Sequence, residues 1–549
     1  MANKENQSHQ TNNSYDELRY YSKPFSFTSI AFLEGSSFLW GLNPPKISGA
    51  KVLELGCSFG GNLISQAIYY PETEFIGIDL SESQINQGNE LIKLMGLKNV
   101  RLEIKNILDI TPDFGLFDYI IVHGIYSWVP DEVKSKILDI CRDNLSENGI
   151  AYISYNTYPG WKNREIARDI MLFTNKHTAD LSLVEKTYRG KAVLKLFSDA
   201  IKTVDSEKGK NSSKVIHFDE IQDKDEHYVA HEYLEQYNHP LYLNEFVDSV
   251  NQHQLSYIGD TSFQLSFISW MTKDLREMLL NLASSDYVAR EQCIDYIYDV
   301  AFRRSLICHA HLQNMINRTE EIPKERLDKL TFVNVNKENN LASVINSQKL
   351  VHLIERFIFE VEKFTIEDIK SYVANNEEFS DITENEIYSS ILLVIILNYV
   401  NVFLTPYQTY VFKDNQSYVP ERFIRYVSTM LEKEGSNYIG FGDMYNRNIS
   451  NLNQIQFYMM LKMVKPKTKA ELENSLKQYL IENEYKDLNN NEKLIDDDYD
   501  VTGLCESVCQ SLETLGYIHP ILAEKIQASK VETNIKSDAK AKSKKKHSR

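Results

Sequence analysis

Apolar positions in the first third of the chain alternate between two rhythms. Short apolar runs recur at Val52-Leu53-Glu54-Leu55, Phe75-Ile76-Gly77-Ile78, Arg101 to Ile104, Asp118-Tyr119-Ile120-Ile121-Val122 and Ile150 to Tyr155. Runs of this length bounded by turn residues predict buried strands. Helical spacing fills the gaps, from Asn62 to Tyr70, from a cap at Ser81 through Ile85, Leu91, Ile92 and Met95 to Gly96, and from Asp131 to Asn144. Five strands alternating with helices predict a parallel sheet with one ligand rim at the carboxyl ends. A further apolar-periodic segment, Ile30 to Leu42 closed by Pro44-Pro45, predicts a helix ahead of the first strand.

Farther along, His231 to His253 reads as helix, Leu255-Ser256-Tyr257-Ile258 as a short strand, and Phe302 to Cys308 as a last, antiparallel strand. Residues 205–228 are charged and weakly apolar, which predicts an excursion. Asn334 to Asn340 is a polar linker, and Val351 to Tyr399 is helical, with the apolar run Ile391 to Val402. Thr365 to Lys370 followed by Asn385-Glu386-Ile387 has a helix-turn-helix rhythm; its acidic surroundings favour protein contact over DNA reading. Residues 435–525 are helical again, interrupted by the acidic stretch Asp496 to Asp500.

Candidate chemistry begins where the first strand meets Gly56-Cys57-Ser58-Phe59-Gly60-Gly61-Asn62. Strand, glycine turn and helix make half of a nucleotide-binding βαβ unit, and the second strand ends at Asp79, placed to take ribose hydroxyls. Ser58 stands where a dinucleotide fingerprint wants glycine, and no Gly-Lys-Ser/Thr phosphate loop follows. Glu54 would repel phosphate but suits the amino group and sulfonium of S-adenosylmethionine. Gly56, Glu54 and Asp79 are therefore expected at the cofactor, with Asn106 and Ile107, after the third strand, beside an adenine ring. The same glycine turn matches the Gly-x-Ser-x-Gly nucleophile elbow of hydrolases, but only some fifty largely polar residues precede it and no oxyanion loop lies upstream.

At 549 residues the chain exceeds one core. It contains no run of eighteen apolar residues, and Met1 to Ser14 has no apolar signal core, so a cytoplasmic protein without stable membrane insertion is expected. Six scattered cysteines with no Cys-x-x-Cys pair support neither disulfides nor a metal site. A net charge of -17 argues against a nucleic-acid partner and fits a lysine-bearing protein substrate. The Lys-rich stretch Lys536 to Arg549 is expected to be solvated.

Leu53 to Cys57, Gly77 to Ser81, Asp118 to Pro130 and Ser154 to Trp161 together resemble the bacterial class I methyltransferases that carry a methyltransferase regulatory domain. His231 to Leu234 with Pro240 and Phe246, then Asp295-Tyr296 with Phe302 to Leu306, are similar to that regulatory region. The chain departs from relatives where their lid region has a His-Pro pair and this sequence reads Phe27-Thr28-Ser29-Ile30. Length and C-terminal extent are most similar to rickettsial lysine methyltransferases of outer membrane protein B. The resemblance implies a doubly wound, seven-stranded α/β sheet with mainly α C-terminal domains. It divides the chain into a leader or lid (1–45), a cofactor-binding domain (46–316) with an insertion at about 160–290, helical domains (317–430 and 431–525) and a basic tail (526–549). It also implies S-adenosyl-L-methionine as cofactor, a homodimer, and Tyr20, Cys57, Asn62, Leu80, His123 and Gly124 as further cofactor contacts. Tyr126, Trp128, Tyr155, Tyr158 and Trp161 are expected to line a dry aromatic channel with the Asn156 oxygen as acceptor for a lysine amine. A small-molecule methyltransferase and a non-enzymatic cofactor-binding adaptor are the alternatives.

Overall fold

A computed structural model describes residues 22–178, 180–208, 213–335, 341–343, 345, 347–433, 440–449, 452–487 and 493–521. Helix α1 (Ile30–Leu39) precedes β1 (Lys51–Leu55), α2 (Gly61–Tyr69), β2 (Glu74–Asp79), α3 (Glu82–Met95), β3 (Val100–Ile104), β4 (Phe117–Val122), α4 (Asp131–Asn144) and β5 (Leu145–Asn156). These strands pair in parallel, in the order β3-β2-β1-β4-β5, as the alternating pattern predicts. Val52, Leu53 and Leu55 are fully buried, because a central parallel strand is covered on both faces.

Past β5 the chain makes a helical layer of α5 (Gly160–Thr174), α6 (Leu183–Lys208), α7 (Ser213–Gln222) and α8 (Glu226–Tyr233). The expected excursion at 205–228 is thus largely helical, since Phe218, Ile221 and Val229 bury against Leu194 and Met171. Sparse apolar residues suffice there because each is fully used. Next come α9 (Leu243–Gln252), β6 (Leu255–Asp260), α10 (Lys273–Ala283), α11 (Tyr287–Tyr298) and β7 (Phe302–His309). Strand β7 runs antiparallel between β5 and β6, which completes a seven-stranded class I methyltransferase sheet. Arg303 of β7 is fully buried, its guanidinium bonded to both oxygens of Asp295 and to Glu291. These partners lie on α11 and tie it to the sheet, since an ion at that depth requires opposing charge.

A second, three-stranded sheet follows, from β8 (Thr331–Asn334), β9 (Lys363–Phe364) and β10 (Val400–Phe403), in the order β10-β8-β9. Helices α12 (Gln348–Glu360), α13 (Ile366–Ala374) and α14 (Glu384–Ile396) accompany it. The apolar run Ile391 to Val402 is therefore split, with Asn398 in the left-handed region (φ 57°) turning the chain from helix into strand.

The chain forms two compact units. One holds residues 1–93, 98–406 and 436–448, and the other 94–97, 407–435 and 449–549. Within the second, α15 (Glu421–Glu432), α16 (Gln454–Lys462), α17 (Lys469–Glu482) and α18 (Thr502–Thr514) bury Phe423, Tyr426, Met459, Leu476 and Leu512. Among the described residues no helix is long and apolar enough to cross a membrane. The basic tail lies outside the described residues.

Helix α1 packs on β10 so closely that a Cβ added at Gly35 would stand 2.2 Å from the Val402 carbonyl oxygen. Gly35→Ala should therefore cost about 1–3 kcal/mol in denaturant unfolding, the usual penalty of overpacking. Gly503→Ala, where a Cβ meets nothing within 4 Å, serves as control. Equal stability of the two variants would contradict the close packing.

Candidate active site

Glu54 lies on the central strand, paired with Gly77 of β2 and Ile121 of β4, and is only 4% exposed. Its Oε1 accepts a hydrogen bond from Asn62 Nδ2 at 2.8 Å, while Oε2 is buried with no hydrogen-bond partner among the described residues. Burial, opposed by the Asn62 bond and helped by the charge of Asp79, pushes the carboxyl up to about 8. The glycine turn is locked to β2, whose Ile78 carbonyl accepts the N–H groups of both Gly56 and Cys57. Gly56 has φ +74°, and a Cβ there would meet the Ile125 side chain at 2.3 Å, so the position takes no other residue without rearrangement.

Half-buried Asp79 accepts from Ser58 N at 2.9 Å through Oδ2 and from Ser81 N at 3.0 Å through Oδ1. These bonds fix the acid at the strand end. The Ser58 hydroxyl donates to Gln84 Oε1 at 2.6 Å, an amide and not a base, so no imidazole activates it among the described residues. Cys57 is buried, and Leu80 is exposed. Asn106 caps its own turn by accepting from Leu108 N, and Ile107 packs partly against the main core.

His123 is half-buried at the end of β4, with Nδ1 2.9 Å from Ser154 Oγ, which also accepts from Gly124 N at 3.0 Å. Burial, then the charges of Arg304 and Lys23, push its imidazole down to about 3, so it is neutral at physiological pH. Phe25 and Phe27 stand against this ring at centroid distances of 4.2 and 5.2 Å. Phe27 begins the stretch where relatives were expected to carry a His-Pro pair. Tyr20 lies outside the described residues.

Asn62 does not present a free group to the turn. Its Nδ2 serves Glu54, and its Oδ1 accepts from Phe25 N, Thr28 Oγ1 and Asn446 Nδ2. At the end of β5, Asn156 N donates to Ser127 Oγ and Asn156 Nδ2 to Asn238 Oδ1, with no recorded bond at its Oδ1. Tyr158 is half-buried, its hydroxyl 2.5 Å from Glu165 Oε1. Half-buried Trp128 meets buried Trp161 edge-on at 6.4 Å. Tyr155 points the other way, into the core: its ring stacks on Phe246 at 4.3 Å and its hydroxyl bonds Ser305. Tyr155 therefore faces the core and not the rim where the channel was expected. Sequence reasoning missed Ser154, whose alternation with Tyr155 along β5 was a usable signal, and Ser22 and Asn446, for which no local pattern exists.

Residues 46–214 match a family described as a methyltransferase domain, residues 225–309 one described as a predicted methyltransferase regulatory domain, and residues 409–519 a winged helix domain. An uncharacterised protein of Rickettsia prowazekii is 32% identical over 418 residues, spanning 71% of this chain and 73% of its own. The chain belongs to the bacterial methyltransferases with a regulatory domain. A second, shorter uncharacterised protein of the same organism is 37% identical over 44% of this chain and 94% of its own. Among solved structures, PKMT2 from Rickettsia typhi superposes with a TM-score of 0.72 at 26% identity, covering 91% of this chain and 99% of that one.

The cofactor of this fold is S-adenosyl-L-methionine, and the unpaired Glu54 oxygen is chemically suited to an ammonium group. Because that carboxyl lies at about 8 in the free methyltransferase, ion pairing with a cationic amine below pH 8 must expel a proton. Affinity for S-adenosylhomocysteine should rise between pH 6 and 8, approaching about tenfold per pH unit at the acid end. Calorimetry at pH 7 in two buffers of different ionisation enthalpy would read the proton directly. Glu54→Gln should abolish the release, and a wild-type protein that binds without releasing a proton would refute the assignment.

Proposed function

We propose that this methyltransferase modifies the ε-amino group of lysine in a polypeptide. Asn156 carries the reading: a residue only 3% exposed at the carboxyl end of β5, held by Ser127 and Asn238, whose carboxamide oxygen has no hydrogen-bond partner among the described residues. Glu54 would hold the cofactor's amino group, Asp79 its ribose, Asn106 and Ile107 its adenine face, and the backbone at Gly56, Cys57 and Gly124 its remaining polar edges. Bound there, S-adenosylmethionine supplies an electrophilic methyl group; the amine lone pair forms the N–C bond as the C–S electrons return to sulfur.

The protein's own work is to align the amine and keep it neutral. Removing the proton from a lysine at pH 7 costs about 4.6 kcal/mol from its ordinary pKa. Desolvation beside Trp128 and Tyr158 lowers that cost, and the Asn156 oxygen orients the neutral amine by accepting one of its N–H groups. A polypeptide substrate accords with the name of the PKMT2 neighbour and with the acidic balance of the chain. The resemblance to enzymes acting on outer membrane protein B suggests a substrate of that class, methylated in the cytoplasm before export.

Incubation of the full chain with methyl-labelled cofactor and such a protein should place label in acid-precipitable material and, after hydrolysis, in methyllysine. Label confined to small molecules would favour a metabolite methyltransferase, and no transfer at all an adaptor. Asn156→Ala should lower kcat about tenfold or more, the worth of one strong hydrogen bond, with cofactor affinity unchanged. We also propose a homodimer; light scattering that returns 63.7 kDa at all concentrations would remove it.

A further inference from the structure

The segment 440–448 comes from far along the sequence yet is seated against the leader and α2, within the catalytic unit. Gly440 N donates to Ser22 O at 2.8 Å, Gly442 N to Ser65 Oγ at 2.8 Å, and Tyr70 OH to Met444 O at 3.2 Å. Arg447 pins the segment by bonding Asp443 at 2.7 Å and Glu362 at 3.1 Å. At its centre Asn446 is fully buried, in the left-handed region at φ 58°.

The orientation of the Asn446 amide follows from the backbone. Its Nδ2 is 3.0 Å from the Phe25 carbonyl, which can only accept, so the NH2 end must lie there. The same NH2 group is 2.7 Å from the near end of the Asn62 amide, which must therefore be the oxygen. Phe25 N–H, which can only donate, points to that oxygen as well, at 3.3 Å. With its oxygen so engaged, Asn62 has to turn its NH2 toward Glu54. Two amides in series thus transmit a polarity from one main-chain carbonyl to the buried acid.

We propose that Asn446 is a positioning residue for the amino-acid end of the cofactor, acting through Asn62 on Glu54. The inference rests on the assignment of Glu54 to the cofactor's amino group. An NH2 group facing Glu54 favours its carboxylate, the form that pairs with an ammonium. In Asn446→Asp an acceptor would replace the donor. That acceptor would face the Asn62 oxygen, which Phe25 N–H and the Thr28 hydroxyl also hold, so the Asn62 amide would be pushed out of place and its bond to Glu54 weakened.

Two ligands separate this relay from a general loss of structure. S-adenosylhomocysteine carries the amino-acid end; methylthioadenosine keeps adenine, ribose and sulfur but lacks it. Asn446→Asp should bind S-adenosylhomocysteine about tenfold or more weakly, a fold-change in keeping with one charge-assisted hydrogen bond, and bind methylthioadenosine as the unmodified protein does. Asn446→Gly, which removes the amide without straining the positive φ, should show the same selective loss to a smaller degree, and it serves if the aspartate variant does not fold. Glu54→Gln is measured alongside. Selective loss in Glu54→Gln but not at position 446 would overturn the relay while leaving the cofactor assignment standing. Equal weakening of both ligands at position 446 would reduce Asn446 to a structural part and overturn it too. If Glu54→Gln itself spares both ligands, the assignment of Glu54 falls and the relay with it.

Discussion

A carboxylate buried at the end of the central strand, with one oxygen unpaired, is the constraint around which the catalytic unit is arranged. Moving an uncompensated charge to such a depth is costly, and proteins ordinarily respond by pairing it or keeping it neutral. Glu54 is given one amide bond and no cation, and its carboxyl is pushed up to about 8. That environment is unfavourable for the empty fold and favourable for a ligand that brings its own positive charge. Everything that keeps Glu54 dry is therefore part of the binding site: β2 and β4 on either side, Ile125 filling the space a side chain at Gly56 would need, and Asn62 closing the helix side.

The regulatory region acts on the other end of the rim by ordinary strand pairing. Strand β7 pairs Asn156 with Phe302, so the last residue of β5 is held by a strand inserted from that region and not by its parallel neighbour alone. The Phe302 ring also meets the His123 ring edge-on at 6.2 Å. One residue of β7 thus touches both sides of the cleft end, and Arg303 beside it anchors the strand through its pairs with Asp295 and Glu291. Arg303 thus ties α11 to the strand that pairs with the end of β5.

What was legible in the sequence follows from how the signals arise. Buried parallel strands are continuous apolar runs, so β1 to β5 could be read directly, and Glu54 and Asp79 stand out because they end such runs. The α7 region escaped because its burial depends on a few apolar residues meeting partners on two other helices. Tyr155 was readable and misjudged: in a strand successive side chains face opposite ways, and Ser154 and Asn156 share the rim side while Tyr155 faces Phe246. The chain 446-62-54 was not readable at all. Its first link joins residues 384 positions apart, and neither asparagine sits in a periodic pattern that would announce a partner.

The neutral state of His123 bears on the chemistry of a substrate amine. Its imidazole is held down to about 3 by burial first, then by the charges of Arg304 and Lys23. An amine brought to the same rim would experience both influences in the same direction, because desolvation and neighbouring cations each disfavour an ammonium. The chain as a whole has the opposite sign, with a net charge of -17. Under the proposed function, a basic polypeptide would be drawn toward the molecule at long range, an attraction that salt would weaken because screening acts mainly on exposed charges.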